Sequence, residues 1–455
     1  MSKFPISRRL TLILAFAGTC VAAAAQDLSR PVTLREAVDL ALTRNPEVLI
    51  AQAQLEELLG RISEVKSGAF PQMSLEGYGL RLRDPSILNS SSFDNLPAEF
   101  RDALVPVASN LFDVGVSVKQ AIYNAGKVRN GVRLAEETKK EKQQVLEAAR
   151  QRISFRVLQA FNDLLLAQEN EGVVTETLKQ RQKHLELARE RFRQGVATEI
   201  DVLRSEVNVA NVEPEIIRAA NRIRQARSVL NNLMVVDLDA PTRIAGRLEH
   251  RPLNVAELSD LLGSSLQFRP EILVARQVVE ESKIWQALAR AENKLGVDLD
   301  GRFGYSVRDP KNFFKTDYNR WTVTLNFKLP FYDGGRKAGL IVQAGARLKA
   351  AEQNLTFVEK NVSLEVNVAR DDLFSSAQSI AAARLNVTQA EKVLSMMQAN
   401  YQYGAATTLD VVDSQTALTV ARNTLINATY DYEMAKARLR LATGSPVLDR
   451  EVRQP

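Results

Sequence analysis

Two short stretches of the chain carry acidic side chains at matching places. Residues 195–205 read GVATEIDVLRS and residues 404–414 read GAATTLDVVDS. Asp201 and Asp410 correspond, whereas Asp413 stands where the first stretch has an arginine. Asp410 and Asp413 are one helical turn apart, so a helix places both carboxylates on one face, where they can attract cations in a water-filled space. Aspartate is also common at helix starts, and capping is the alternative role for Asp201 and Asp410.

Other side chains that commonly carry out catalysis are scarce. His184 and His250 are the only histidines, and we interpret both as surface residues on a helix or a linker. The sequence has no phosphate-binding glycine loop, no cluster with metal-ligand spacing and no cysteine placed as a nucleophile. We therefore predict that the protein is not an enzyme, has no catalytic residues and uses neither a metal nor a cofactor.

The composition indicates a folded protein rather than a disordered one. Of the 455 residues, 45% are hydrophobic and 25% are charged. The formal net charge is +6, and charges of both signs are interspersed along helical patterns, which is typical of solvated helix surfaces. We predict no nucleic-acid partner.

The N-terminus has the pattern of a secretory signal peptide, which we assign to residues 1–25. It has basic residues, an apolar run and Ala23–Ala25 directly before Gln26. Cys20, the lone cysteine, could be a lipidation site, but the preceding Ala-Gly-Thr is a poor match to a lipobox. No later run reaches the roughly 20 apolar residues of a transmembrane helix, so we expect a secreted protein, a periplasmic protein or an outer-membrane β-barrel.

The chain reads as a tandem duplication. The offset that aligns the two acidic stretches also aligns QAIYNAGKVRN (120–130) with LPFYDGGRKAG (329–339). Farther upstream, NPEVLIAQ (45–52) matches RPEILVAR (269–276) at a larger offset. The first copy therefore carries an insertion, which we place at 84–106 because the Ser, Asn, Asp and Pro content there is typical of a long loop. A repeat of about 200 residues is far longer than the units of solenoid proteins.

The two copies predict one order of elements. Each copy has a helix, a strand, a loop, a second strand, a very long helix, the acidic turn and another long helix. The predicted boundaries are a first repeat at 26–236 with strands near 71–81 and 113–122 and helices at 124–192 and 197–236, a linker at 237–268, a second repeat at 269–444 with strands near 296–307 and 320–329 and helices at 333–402 and 406–443, and a short tail at 445–455.

The predicted strands alternate between apolar and polar residues. From Trp321 to Leu329, aromatic or aliphatic side chains alternate with Thr, Asn and Lys, and 297–307 follows a similar pattern. The first copy repeats the alternation more weakly, and Lys119 and Lys328 occupy the same repeat position. A small soluble sheet with one wet face would have this pattern, and so would a membrane barrel.

The long helices exclude a single globular core. There is no proline from Gly126 to about Phe192, and a helix of that length spans roughly 100 Å. Two apolar stripes run side by side along it, which indicates a helix with two helical neighbours. The stripes are Ile153, Val157, Ala160, Leu164 and Ala167, with Leu158, Phe161 and Leu165 beside them.

The strands also predict an oligomer. One chain supplies four strands, too few to close a barrel, and open sheet edges are not tolerated in lipid. Two chains would give eight strands and an interior filled by side chains, whereas three chains give twelve strands and leave a lumen. A trimer is thus the smallest ring that conducts, and Lys119 and Lys328 would line its barrel lumen at one level.

The signal peptide, the duplicated unit, the YNAGK and YDGGR segments and the paired GxATxxDV turns together resemble the TolC-like outer membrane efflux protein family, over about residues 30–444. The resemblance implies a mixed α and β membrane protein. It would be a homotrimer whose twelve-stranded β-barrel, in the lipid of a bacterial outer membrane, continues into a long α-helical coiled-coil barrel in the periplasm. It further implies a tripartite pump with a periplasmic adaptor (membrane fusion) protein and an inner-membrane transporter. The linker and the tail would form a belt around the helical barrel.

The resemblance also implies roles at the periplasmic tip. Asp410 and Asp413 would ring a constriction that gates the channel and gives it a cation preference. Tyr401 matches a tyrosine that latches the closed state, and Asp201 matches its acidic partner. Ala406 departs from the pattern, because some family members carry an arginine of the latch there. The adaptor would contact eight small or short side chains at the two turns: Gly195, Val196, Ala197, Thr198, Gly404, Ala405, Ala406 and Thr407.

Two alternatives stay open at this point. A periplasmic or cell-surface coiled-coil scaffold without a pore would explain the long helices but not the alternating strands. For a channel, we expect small-molecule efflux, and type I protein secretion is the alternative.

Overall fold

The computed structural model describes residues 30–83, 94–100 and 108–446. The predicted signal peptide with Cys20, most of the predicted loop at 84–106 and residues 447–455 of the predicted tail lie outside these ranges.

The chain divides into two compact units. The first unit holds residues 156–249 and 386–427, together with the segment that ends at residue 41. The second unit holds residues 42–155, 250–385 and those from 428 onward.

Helices make up most of the described residues. Their bounds are α1 Leu34–Arg44, α2 Pro46–Ser67, α3 Lys127–Arg193, α4 Glu199–Ala210, α5 Glu213–Met234, α6 Leu258–Phe268, α7 Pro270–Ala291, α8 Arg336–Gln402 and α9 Thr408–Ala442, with 3₁₀ turns at Pro310–Asn312 and Thr316–Tyr318.

Local sequence explains where several helices begin. The side chain of Asn45 caps α2 by accepting a hydrogen bond from the Glu47 N–H at 3.0 Å, and a proline in the first turn has no N–H that needs a partner. Asp333 caps α8 in a related way. Its carboxylate accepts hydrogen bonds from the N–H groups of Gly335 and Lys337 at 3.0 and 2.8 Å.

The structure differs from the prediction over 197–236, where it has two helices, α4 and α5, instead of one. Pro214 lies in the first turn of α5 and has no N–H to donate to the carbonyl of Ala210, so a continuous helix is not formed there. The carbonyl of Asn208, in the last turn of α4, accepts a hydrogen bond from Arg181 at 2.8 Å.

The predicted stripes of α3 are confirmed as buried positions. All eight side chains are at most 8% exposed. Burial of two adjacent stripes means that packing, rather than intrinsic helix propensity, stabilises this long helix.

The strands form one four-stranded antiparallel sheet in the described residues, in the order β1-β2-β3-β4. The strands are β1 Gln72–Leu82, β2 Ser109–Tyr123, β3 Gly296–Val307 and β4 Asn319–Lys328. The register shifts once, at a bulge between Ala121 and Tyr123. β1 and β4 are the outer strands, and each has one hydrogen-bonding edge that no described strand of the chain pairs.

The register places apolar and polar residues on opposite faces of the sheet. Val116 pairs with Phe303 and Phe303 with Trp321 on one face, whereas Ser117 pairs with Arg302 on the other. Within the chain the apolar face is uncovered, with exposures between 66% and 70% at Trp321, Val323 and Phe327.

Charged groups stabilise the polar face. The Arg302 guanidinium pairs with Asp113 and, at 3.2 Å, with Glu76, so one arginine links β3 to β2 and β1. Gly115 leaves the space that this side chain needs. A Cβ at Gly115 would lie 3.4 Å from the Arg302 Nε and 2.9 Å from the Phe303 carbonyl oxygen.

One carboxylate joins the starts of both long helices in the second unit. Glu292, directly after α7, pairs with Lys127 and with Arg336, each at 2.9 Å. The hydrogen bond from Lys127 is the main reason that the pKa of Glu292 is lowered. These two partners are the first residues of α3 and α8, so the pairs connect the first turns of both helices.

The segment that follows α5 is held by a buried amide. Asn231 is fully buried, and its Nδ2 donates to the carbonyls of Leu238 and Ala240 at 3.1 and 3.0 Å. Its Oδ1 accepts a hydrogen bond from the Thr242 hydroxyl at 2.7 Å. Much of the predicted linker therefore has a defined path without being a helix or a strand.

Candidate functional site

The two acidic stretches form turns of the same geometry. The first joins α3 to α4 and the second joins α8 to α9. In both, the second residue after the long helix is a glycine with positive φ, +75° at Gly195 and +76° at Gly404. This left-handed conformation is strained for residues with a Cβ, which explains the glycine in each turn. We use the name tip region for residues 184–205 and 394–415, which surround the two turns.

Each turn leads into a reciprocal cap at the start of the next helix. The Asp201 carboxylate accepts hydrogen bonds from the Thr198 N–H and hydroxyl at 3.1 and 2.7 Å. The Asp410 carboxylate accepts from the Thr407 N–H and hydroxyl at 2.8 and 2.7 Å. In both cases the threonine hydroxyl is the main cause of a lowered aspartate pKa. Both aspartates therefore have the capping role that was the alternative to a chemical one.

Asp413 differs from these two capping acids. Asp410 and Asp413 are both exposed, whereas Val411, Ser414 and Gln415 between and beyond them are buried. In the part of the chain that the structure describes, the Asp413 carboxylate takes part in no hydrogen bond or ion pair. The two acids therefore lie on the solvent-exposed face of α9. Of the two, only Asp413 lacks a role in stabilising the turn.

Tyr401 is the centre of a buried polar group in the first unit. The side chain is 4% exposed, and its ring lies 5.0 Å from the His184 ring and 4.9 Å from the Arg191 guanidinium carbon. The hydroxyls of Thr408 and Tyr401 are hydrogen-bonded to each other at 3.3 Å, and a hydrogen bond from Thr408 also helps to lower the pKa of Asp201. The threonine thus lies between the tyrosine and the aspartate that were expected to form a pair.

The surface position predicted for His184 is wrong. This residue is 7% exposed, and its Nε2 has no hydrogen-bond partner among the described residues. Burial lowers the pKa of His184, and the nearby charge of Asp201 opposes that shift. The prediction for His250 also needs correction, since that ring is half-buried and lies 4.5 Å from the ring of Tyr432.

Sequence reasoning missed Arg191. Its Nη1 donates hydrogen bonds to the carbonyls of Tyr401 and Gln402 at 2.7 and 2.9 Å. A signal was present, because the offset that aligns the two turns places Arg191 opposite Asn400 and Tyr401 opposite Phe192. The two copies therefore differ at both positions of this arginine–tyrosine contact, as they differ at Asp413.

The eight residues predicted to meet an adaptor form two short surface segments. All are exposed except Ala197 and Ala406, which are half-buried. Ala406 packs against a buried apolar cluster formed by Leu394, Tyr401, Val411 and Leu418. An apolar side chain therefore occupies the place where an arginine of the latch would stand.

The two lysines predicted for the lumen are exposed on the polar face of the sheet. Lys119 pairs with Asp300, which pairs with Thr324, so Lys328 lies farther along β4 than the row that contains Lys119. Equal height of the two lysines along a barrel axis therefore requires tilted strands, and strands of closed barrels are tilted.

The residues that the structure describes contain no group of three His, Cys, Asp or Glu side chains that could hold a metal ion. None of their helices combines the length and the apolar composition needed to cross a membrane.

Comparison with known proteins gives a consistent match over nearly the whole chain. The family model described as outer membrane efflux protein matches residues 37–234 and 261–445. The chain is 25% identical over 439 residues to the outer membrane protein TolC of Vibrio cholerae, covering 93% of this chain and 94% of that protein. It is also 25% identical over 303 residues to the alkaline protease secretion protein AprF of Pseudomonas aeruginosa, covering 66% of this chain and 62% of that protein.

A solved structure shares the fold. The outer membrane protein VceC of Vibrio cholerae superposes with a TM-score of 0.76 at 22% identity, covering 91% of this chain and 97% of that one. The helices and the sheet described above are therefore arranged as in a known protein of the outer membrane.

Proposed function

The chain belongs to the outer membrane efflux protein family, and from this premise we propose that three copies form a channel that exports substrates across the outer membrane and is gated at its periplasmic tip. The family consists of outer-membrane channels rather than enzymes, and this chain is a protein of the bacterial outer membrane.

The observation that carries the proposal is a four-stranded sheet whose apolar face is uncovered. Membrane lipid would cover that face. The outer strands β1 and β4 each have an unpaired edge in the described residues, and pairing β4 of one copy with β1 of the next would satisfy both. Three copies would give twelve strands around a lumen lined by the polar face, continuous with a helical barrel in the periplasm.

The shared geometry of the two turns supports a duplicated chain in which one copy is specialised. We place the gate at the second turn, because only that copy has Asp413. In a trimer, Asp410 and Asp413 would form two rings of three carboxylates and attract cations. Asp410 would join its ring while it caps α9, since both hydrogen bonds from Thr407 go to one carboxylate oxygen, Oδ2. Tyr401 and Asp201, linked through Thr408, would hold the closed state.

The exposed turns support docking of a periplasmic adaptor protein. Most of the eight residues named above are exposed, and small side chains let the backbone of another protein approach closely. The adaptor would in turn connect the channel to an inner-membrane transporter.

Small-molecule efflux is the transport that we propose, with type I protein secretion as the second candidate. The relative from Pseudomonas aeruginosa that is named for alkaline protease secretion favours the second. A deletion strain separates them, because loss of efflux increases drug sensitivity, whereas loss of secretion depletes an exported protein from the medium.

The trimer and its lipid-facing surface can be tested with two neighbouring substitutions on β4. We expect the native protein in the outer-membrane fraction, and light scattering in detergent should give the mass of three chains. Val323→Arg places a charge on the apolar face, which costs about 2–4 kcal/mol per chain near the middle of a bilayer and should deplete the inserted trimer. Thr324→Arg is the matched control on the polar face and should insert normally.

A protein that leaves the cell envelope without detergent, or a monomer, would support the scaffold without a pore. Equal insertion of both arginine variants would show that lipid does not cover the apolar face.

A further inference from the structure

Arg191 connects two separate parts of the tip region within one chain. It lies in the last turn of α3, and its Nη1 donates to two carbonyls at the end of α8, those of Tyr401 and Gln402. Its guanidinium also lies over the Tyr401 ring, at 4.9 Å from the ring centroid. The Nη2 approaches the second turn, since a Cβ at Gly404 would be 3.9 Å from it.

The carbonyls that Arg191 contacts lie at the end of α8, and that of Tyr401 also accepts a hydrogen bond from the Gly404 N–H at 3.1 Å. The last turn of an α-helix has carbonyl groups with no intrahelical N–H, and the helix dipole is negative there. A guanidinium satisfies two such groups at once because its N–H donors are fixed in a plane. Through this contact, the last turn of α8 and the glycine turn that follows it are attached to α3.

In the described part of the chain, the attachment is present at one of the two turns. The residue equivalent to Arg191 in the second copy is Asn400, and the residue equivalent to Tyr401 in the first copy is Phe192, which is 45% exposed. Tyr401 is 4% exposed by comparison. Among the residues that the structure describes, the first turn therefore has no corresponding arginine contact, whereas the turn that precedes Asp410 and Asp413 has one.

We propose that Arg191 is a positioning residue for the gate. It holds the second turn against α3, and this contact fixes the position of α9 and its two exposed carboxylates. Release of the contact lets the second turn move away from α3 and widens the constriction. The proposal rests on the channel and tip gate proposed above. It assigns to Arg191 on α3 the stabilisation of the closed state for which an arginine was expected at position 406. Ala406 itself packs against the apolar cluster.

A purely structural role for Arg191 makes a different prediction. Basic side chains commonly bind the last carbonyls of a helix, and loss of such a contact lowers stability without changing a pore. The test must therefore read conduction at unchanged assembly, and it must include a conservative variant that restores part of the contact.

The experiment compares single-channel recordings of the detergent-purified full-length protein in planar bilayers. Arg191→Gln removes the charge and the two-carbonyl contact, and we expect about a tenfold increase in the open-to-closed ratio, with an unchanged melting temperature of the trimer. Arg191→Lys keeps a cation that can reach one carbonyl and should fall between native protein and Arg191→Gln. Arg193→Gln is the matched control, because Arg193 lies two residues away, is 72% exposed and pairs only with Glu190 among the described residues. It should conduct like the native protein.

Each outcome decides the proposal. If Arg191→Gln and Arg191→Lys conduct like the native protein, the contact does not position the gate and the inference is overturned. If Arg191→Gln fails to assemble, Arg191→Lys decides, since a more open channel supports the inference and native conduction overturns it. If the native protein itself forms no channel, the proposed function fails instead, so the two failures are distinct.

Discussion

In the tip region, some residues stabilise the turns and others are exposed to solvent without a partner in the described residues. Asp201 and Asp410 cap helices, and their pKa values are lowered below the ordinary 3.8 mainly by threonine hydroxyls. Their stabilising hydrogen bonds are therefore complete above about pH 4 and are lost as the pH falls through the lowered pKa values. At neutral and mildly acidic pH, both carboxylates are charged.

His184 responds to pH in a higher range. Because burial lowers its pKa, the folded tip region holds the imidazole neutral, and the protonated form is favoured only on unfolding. Stability is then complete above about pH 6.5 and falls as the pH drops toward the lowered pKa, by at most about 1.4 kcal/mol per pH unit. We expect the protection of tip-region amides against hydrogen exchange to decrease between pH 7.5 and pH 5.5, and His184→Gln to remove that decrease.

The second histidine provides the control for this effect. His184 and His250 are the only histidines, so His250→Gln should keep the pH dependence of the tip region. Amide protection that is the same at both pH values in the native protein would show that protonation of His184 does not affect the stability of the tip region.

The error about His184 has a physical cause. Reading histidine as polar hid the fact that Leu185 and Ala188 beside it are buried, as is Thr177 seven residues earlier. The spacing from Thr177 to His184 and Ala188 is that of a coiled-coil stripe, so the position could have been predicted as buried. The partner ring of Tyr401 could not, because it comes from a helix more than 200 residues later in the chain.

At the scale of elements, the alternation of apolar and polar residues in the sequence was sufficient to predict the two faces of the sheet. The polar and apolar faces follow from a period of two residues, and the register places Phe303 beside Trp321 as that period requires. The break between α4 and α5 was missed, although Pro214 was a visible signal for it. The order of the strands could not be predicted in this way. It depends on pairing between β2 and β3, which are distant in sequence and have no local sequence signal for that pairing.

The lysines on the polar face offer a test of the barrel lumen. We propose that Lys119 and Lys328 of three chains line it, although the register of one sheet places them in different rows. Replacing both with glutamate should shift the reversal potential in a salt gradient toward greater cation selectivity, because the reversal puts carboxylates into a water-filled pore. Replacing both with glutamine should give a shift of about half that size. Identical reversal potentials for all three proteins would exclude both lysines from the conduction path.

At the scale of the whole molecule, the internal repeat was the main basis for predicting the architecture. Two copies of one turn, at a common offset with the strand ends, are enough to expect a duplicated architecture from the sequence alone. Among the differences between the copies, Asp413 led to the proposed gate, whereas Arg191 was missed although it also differs from its counterpart. Contacts such as that of Arg191 with the end of α8 could not be derived, because equivalent helices can pack in more than one rotation about their axes.

The measurement that tests the central claim most directly is the single-channel conductance and reversal potential of the native protein and of the double variant Asp410→Asn with Asp413→Asn. Asparagine keeps an oxygen that can accept the hydrogen bonds from Thr407, so the cap of α9 is retained while both charges are removed. We predict a cation-selective conductance for the native protein that persists at pH 5, because the pKa of Asp410 is lowered, and a loss of most of that selectivity in the double variant. Asp201→Asn, the matched change at the first turn, removes a charge that would hold the closed state but not one of the proposed rings, so it should keep the native selectivity even if the channel opens more often. A protein that inserts and conducts with the same selectivity in all three forms would contradict the gate, and a native protein that never conducts would contradict the channel itself.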